Sequence, residues 1–207
     1  MTEIKVLLDN SGSMNRIKDD SIGGYNEFLS LQKESENHIN IYWSLYFFNN
    51  YYEQQFTNKN IKDVEFMKNE DFRPHGGTAL YDAIGKLLND TIEEPHKNYI
   101  VVIITDGIEN SSKLYTPQAI KAMIHNKTSE LRNESQASWD FVYLGANQDS
   151  FLESAKLGIN KDATMDYNTN EKSVKALYKS VSDAVTRKIS NQDKLTFLPL
   201  ERINTMI

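Results

Sequence analysis

The stretch Ile4-Lys5-Val6-Leu7-Leu8-Asp9-Asn10-Ser11-Gly12-Ser13 governs how the rest of the chain is read. Its apolar run, Ile4, Val6, Leu7 and Leu8, predicts a buried strand. The strand ends on a carboxylate and then turns through two hydroxyls spaced two apart. Hard oxygen donors in that order suit Mg²⁺ or a similar cation. The bland alternative is a capped turn without a ligand, because Asp and Ser favour turns and helix starts.

Two later segments change the balance. Gly76-Gly77-Thr78 opens an amphipathic helix carrying Leu80, Ile84, Leu87 and Leu88 at helical spacing, and Asp106-Gly107 closes a second apolar run, Tyr99 to Thr105. Residues Ile100 to Ile104 are continuously apolar, as in a central strand buried on both faces. Taken alone, Thr78 reads as a helix cap and Asp106-Gly107 as a tight turn. Strands alternating with helices imply a parallel sheet with right-handed crossovers, which gathers strand carboxyl ends along one edge. Asp9 and Asp106 stand at two such ends.

With all three loops in place the chain resembles the von Willebrand factor A domain, the module also found as the integrin I domain, with its metal-ion-dependent adhesion site. The resemblance covers nearly the whole chain and is closest to short stand-alone bacterial or phage versions. It implies an α/β, Rossmann-like, doubly wound and mainly parallel sheet with one antiparallel edge strand and helices on both faces. It also implies that Ser11 and Ser13 bind the cation through their hydroxyls and that Thr78 binds it when a ligand is engaged. Asp9 and Asp106 would act mainly through hydrogen bonds or bridging water. Mg²⁺ is the expected ion, with Mn²⁺ and Ca²⁺ as alternatives. Neutral hydroxyl and water ligands leave such an ion incompletely neutralised and open to a partner's Asp or Glu. Helices after Ser13 and Thr78 are expected to aim their partly positive amino ends at the site.

The remaining elements follow from periodicity. A strand over residues 3 to 8 leads into a helix from about Arg16 to Glu34, with Ile17, Tyr25, Phe28 and Leu29 on one face. Gly23-Gly24 inside it, at about 1 kcal/mol each relative to alanine, predicts a kink or close packing against the sheet. Alternating Ile39, Ile41, Trp43, Leu45 and Phe47, a turn at Asn49-Asn50 and a return strand Tyr51 to Thr57 predict an edge hairpin. The polar linker from Asn58 to Arg73 has room for a short strand or helix around Val64 to Met67. Thr116-Pro117 starts a helix with Ile120, Met123, Ile124 and Leu131 inward. A strand Trp139 to Leu144, a helix Ser150 to Leu157, a short strand Ala163 to Tyr167 and a helix carrying Val174 to Ile189 complete a domain over residues 1–190. The tail, 191–207, holds Leu195, Phe197, Leu198, Leu200 and Ile203, and is expected to pack on the domain.

Composition bounds the function. The 207 residues fit one α/β domain with a single core. Cysteine is absent, so disulfides and thiolate metal sites are excluded. A net charge of -6 without a basic run argues against nucleic acid and anionic membranes. Met1-Thr2-Glu3 lacks the basic start of a signal peptide, which points to a cytoplasmic protein. The expected partner is a protein presenting Asp or Glu, an AAA+ ATPase or a host protein among the candidates. Rim candidates flanking the loops are Asn10, Met14, Asn15, His75, Tyr81, Glu109, Asn110 and Tyr115. Glu109 reads either as a water-mediated metal contact or as a solvated loop residue, and His75 as a surface hydrogen-bonding residue. Two rivals remain: a metal-dependent phosphoesterase or nuclease, and a scaffold whose metal is purely structural. Against catalysis, Ser11 stands where haloacid-dehalogenase-type phosphatases place a second aspartate. Neither Gly-x-Ser-x-Gly nor a P-loop surrounds the candidate loops.

Overall fold

The computed structural model describes residues 1–35, 40–129, 136–146, 149–168, 170–191 and 194–206. Six strands form one sheet in the order β3-β2-β1-β4-β5-β6. They are β1 (Thr2–Asp9), β2 (Ile41–Phe48), β3 (Tyr52–Asn60), β4 (Asn98–Thr105), β5 (Ser138–Ala146) and β6 (Thr164–Tyr167). All neighbours are parallel except β2 and β3, the hairpin at one edge. The chain steps outward from β1 to β2 on one side and to β4 on the other, so the strand order reverses at β1. In open α/β sheets, ligands bind beyond the strand carboxyl ends at that reversal.

Alternation along the central strands builds two cores. Ile4, Val6, Leu8, Ile100, Val102 and Ile104 meet α1 (Lys18–Glu34) and α5 (Glu171–Asn191) on one face. Leu7, Tyr99, Val101 and Ile103 meet α2 (Leu80–Asp90) and α3 (Pro117–Thr128) on the other. The expected doubly wound, three-layer architecture is therefore present. Thr116 caps α3 as its sequence predicts, accepting from Ala119 N.

Several local expectations are corrected. The chain enters α1 through a tighter 3₁₀ turn, Gly12–Ile17, and the α-helix proper begins at Lys18. Gly24 packs against the Tyr178 ring of α5 rather than against the sheet, and Gly23 faces open space. Residues 64–67 form no regular element; the 3₁₀ turn is Ile61–Asp63, and Ile61, Val64, Met67 and Phe72 anchor the linker by burial instead. Ala163 belongs to a 3₁₀ turn before β6. Ile39 and Leu131 lie outside the described residues.

After α4 (Ser150–Lys156), β6 and α5, the chain returns across the outer edge of β6. Leu195 and Phe197 join the core, and α6 (Pro199–Asn204) follows. Phe197 N donates to Asp162 O at 2.8 Å, Arg202 donates to Thr164 O, Thr205 Oγ1 donates to Asp166 O at 2.9 Å, and Asn168 N donates to Thr205 O at 3.1 Å. Alternate residues of a strand present their backbone groups to the same edge, so this segment occupies positions a seventh strand would otherwise take. Arg187 grips Glu201 through two hydrogen bonds, at 2.8 and 3.0 Å, fastening α6 to α5.

At the opposite end of the sheet from the serine loop lies a buried ionic cluster that hydrophobic periodicity does not reveal. Lys5 Nζ is 2.7 Å from Glu3 Oε1, and Lys97 Nζ is 3.0 Å from Glu3 Oε2. All three side chains are 2–3% exposed. Both ammonium groups also lie over the Tyr99 ring. Burial pushes the Glu3 carboxyl up, but Lys5, Ser44 and Lys97 outweigh it and hold the group below the usual range. Removing one partner from such a cluster strands the other charges in the interior. Glu3→Gln is therefore expected to cost about 3–5 kcal/mol in urea unfolding. A loss below about 1 kcal/mol, in the range of an exposed pair, would contradict it.

Candidate metal centre

β1 delivers Asp9 to the sheet edge, and the turn after it is held by backbone groups. Asn10 N donates to Phe48 O at 2.6 Å, His75 N donates to Asn10 O at 2.8 Å, and Gly12 N donates to Gly76 O at 3.0 Å. These bonds join the serine loop to β2 and to the loop carrying Thr78. The Asp9 carboxylate is fully buried. Its Oδ1 accepts from Ser11 N at 2.7 Å, and its Oδ2 accepts from Thr105 Oγ1 at 2.6 Å. Ser13 Oγ lies 3.1 Å from Ser11 Oγ and donates to Asp106 Oδ1 at 2.5 Å.

Gly107 shows that Thr78 belongs to the same group. A Cβ at Gly107 would stand 2.7 Å from Thr78 Oγ1, 3.4 Å from Ser13 Oγ and 3.5 Å from Asp9 Oδ2. Three oxygens from two segments, the serine turn with its strand end and the Thr78 loop, thus face one small space at a third, where glycine leaves room. Among the described residues, Asp106 Oδ2 is buried with no hydrogen-bond partner, and the same holds for Asn10 Oδ1. Buried, unpaired carboxylate oxygen is costly, and a ligand is one of the few explanations for it. Desolvation raises the Asp9 carboxyl to about 6, against the opposing hydrogen bonds from Thr105 and Ser11. Asp106 is raised by the same cause, partly offset by Ser13 and Arg16.

The donor set fits a hard divalent cation: hydroxyls of Ser11, Ser13 and Thr78 backed by two carboxylates. Among the described residues no group of three or more His, Cys, Asp or Glu could hold a metal, so a histidine or thiolate centre is not the pattern here.

No family model matches the sequence, and no curated protein matches it by sequence. Folds are more informative. Proximal thread matrix protein 1 from the mussel byssus, solved with a zinc-occupied MIDAS motif, superposes with a TM-score of 0.66 at 12% identity, covering 89% of this chain and 46% of that one. A von Willebrand factor type A protein from Catenulispora acidiphila gives 0.59 at 13% identity, covering 89% and 42%. The chain has the von Willebrand factor A fold. The pilus adhesin SpaC from Lactobacillus rhamnosus GG, in an open conformation, gives 0.63 at 14% identity, covering 90% of this chain and 30% of the adhesin. This chain thus spans less than half the length of these three proteins.

Within this von Willebrand factor A fold the rim candidates take different places. Asn15 Nδ2 donates to Gly12 O and Pro74 O, at 3.1 and 2.9 Å, and pins two loops together. His75 pairs with Asn49 Nδ2 and Arg73 O, at 3.2 and 2.8 Å. Asn110 Oδ1 accepts from Thr78 N at 3.0 Å, and Glu109 accepts from the backbone of Tyr81, Ser111 and Ser112. Glu109 is therefore a loop clamp and helix cap rather than a solvated side chain. Its carboxylate meets the amino end of α2, so that end is less free to project positive potential on the site than the sequence suggests. Met14 is fully buried in the core, and Tyr115 packs against Gly85 in the middle of α2, so neither side chain lines the opening.

Three contributors escape the sequence pattern. Thr105 orients Asp9, Gly107 keeps the space open, and Asp82 accepts from Lys113, Leu114 and Tyr115 backbone N–H groups at 2.8–2.9 Å, fixing the loop after β4. In the sequence Gly107 reads only as part of the Asp106-Gly107 turn and Thr105 only as the end of its strand. Because Asp9 is a buried charge raised by desolvation, with Asp106 repelling it, Asp9→Asn removes a desolvation cost, and Thr105 Oγ1 has Gly107 O, 3.1 Å away, as an alternative acceptor. In EDTA the D9N protein is expected to melt at or above the wild-type temperature. A fall of more than about 5 °C, near 2 kcal/mol for a chain of this size, would show that the carboxylate is needed for the fold itself.

Proposed function

We propose that this chain is a divalent-cation-dependent protein-binding module. Ser11, Ser13 and Thr78 hold the cation through their hydroxyls, and Asp9 and Asp106 balance its charge from behind. The observation that carries this is the convergence of Ser13 Oγ, Thr78 Oγ1 and Asp9 Oδ2 on the space at Gly107, beside Asp106, whose Oδ2 accepts no hydrogen bond among the described residues. Bound there, the cation supplies Lewis acidity toward an oxygen ligand from outside the chain. Asp9 spends both carboxylate oxygens on Ser11 and Thr105, and Asp106 spends one on Ser13. Few anionic oxygens are left to quench the ion, which favours capture of a partner's Asp or Glu.

Mg²⁺ is the ion this donor set suits best, with Mn²⁺ and Ca²⁺ as the other oxygen-seeking candidates. The zinc in the mussel protein's MIDAS motif and the adhesin role of SpaC support the same reading. No helix among the described residues is long and apolar enough to cross a membrane. The ring of clamps formed by Asn15, Asn110, Glu109 and Asp82 keeps the three loops in register, so little ordering is left to occur when a ligand arrives.

Saturating Mg²⁺, at one hundred times its Kd, is expected to add about 2.7 kcal/mol of stability. For a chain of this size that is a rise in Tm of about 5–10 °C. Thr78→Val, which keeps the side-chain shape and removes the hydroxyl, should lower the rise, and Gly107→Ala, which fills the space, should abolish it. In EDTA, Thr78→Val should melt near the wild-type temperature and Gly107→Ala somewhat below it, since its Cβ would crowd Thr78 Oγ1 at 2.7 Å. A Gly107→Ala protein that keeps the full Mg²⁺ shift would contradict the site.

A further inference from the structure

Arg16 is a rim cation whose donors are unspent on hydrogen bonds among the described residues. It sits in the 3₁₀ turn that carries Ser13, it is 74% exposed, and its Nη2 stands 3.8 Å from the buried, unpartnered Asp106 Oδ2. That separation is an ion pair but too long for a hydrogen bond. No hydrogen bond from its guanidinium occurs among the described residues, whereas the polar groups around it are engaged: Asn15 with Gly12 and Pro74, His75 with Asn49 and Arg73, Glu109 with the loop after β4. The turn that carries Arg16 is closed by Met14 N donating to Ser11 O at 3.1 Å, which sets the base of the side chain beside Ser13 and Asp106.

Resting on the cation-site reading above, we propose that Arg16 is a shared counter-ion that both competes with the metal for Asp106 and binds a second acidic group of the partner. The ligand class that follows is an acidic segment with neighbouring carboxylates, rather than one isolated Asp or Glu. A guanidinium matches this task better than an ammonium, because its fork of donors pairs with a carboxylate in two bonds. The chain's net charge of -6 would otherwise repel such a segment, and a single exposed cation beside the site offsets that locally.

The two halves of the proposal have opposite signs, which makes it testable with one substitution. Arg16→Gln removes the competitor and is expected to tighten Mn²⁺ binding, measured by calorimetry, about two- to fivefold, the range of an exposed ion pair. The same variant should weaken Mn²⁺-dependent binding of a fluorescein-labelled peptide with adjacent Asp and Glu by about tenfold, as expected for a lost charge-assisted hydrogen bond. Arg16→Lys should restore the wild-type metal affinity but only part of the peptide affinity. Wild-type Mn²⁺ and peptide affinities in Arg16→Gln, or a loss of both together, would overturn the proposal while leaving the cation site intact. Failure of the wild-type protein to bind Mn²⁺ in a manner that Asp9→Ala abolishes would instead overturn the site on which it rests.

Discussion

The carboxylate of Asp9, buried at the end of the central strand, is the constraint around which the crevice is organised. It bonds forward to the Ser11 backbone and sideways to the Thr105 hydroxyl, so one side chain links β1, the serine turn and β4. Without an acceptor at its Oδ1 position the serine turn would lose the bond that starts it. Keeping this charge away from water is costly, as its upward shift to about 6 records. A bound cation would offset that cost, and the local instability of the site is thereby coupled to its chemistry.

The two ends of β1 handle buried charge in contrasting ways. At Glu3, a carboxylate is matched by Lys5 and Lys97, held below its usual range and closed over by tyrosine rings. At Asp9 and Asp106, the ion pair among the described residues is the long one from exposed Arg16 to Asp106, and both carboxyls are raised. One end is electrostatically complete and holds strands together. The other is left incomplete at the strand carboxyl ends, beside the reversal of strand order where an α/β sheet opens to ligands.

Much of this was legible in the sequence because the decisive signals are local and strongly patterned. The apolar residues Ile4, Val6, Leu7 and Leu8 and the continuous apolar run Ile100 to Ile104 marked central strands, Thr116-Pro117 marked a helix start, and the hydroxyl and carboxylate positions sat at or directly beyond strand ends. What stayed hidden depends on tertiary pairing. Glu3, Lys5 and Lys97 look like surface residues until the pairing of β1 with β4 brings them together. Glu109 looked like a solvated loop residue until the start of α2 came within its reach, and Gly24 needed the Tyr178 ring to explain it. The tail's apolar content was visible, but its bonds to alternate residues along the β6 edge were not, since register lies outside any one segment.

The central claim is that hydroxyls from separate loops hold a divalent cation in the space above Gly107. Anomalous diffraction from crystals grown in Mn²⁺ tests it most directly. The account expects one strong peak within bonding distance of Ser11 Oγ, Ser13 Oγ or Thr78 Oγ1, with Asp9 still bonded to Ser11 and Thr105. A peak elsewhere on the surface, or none at saturating Mn²⁺, would contradict it.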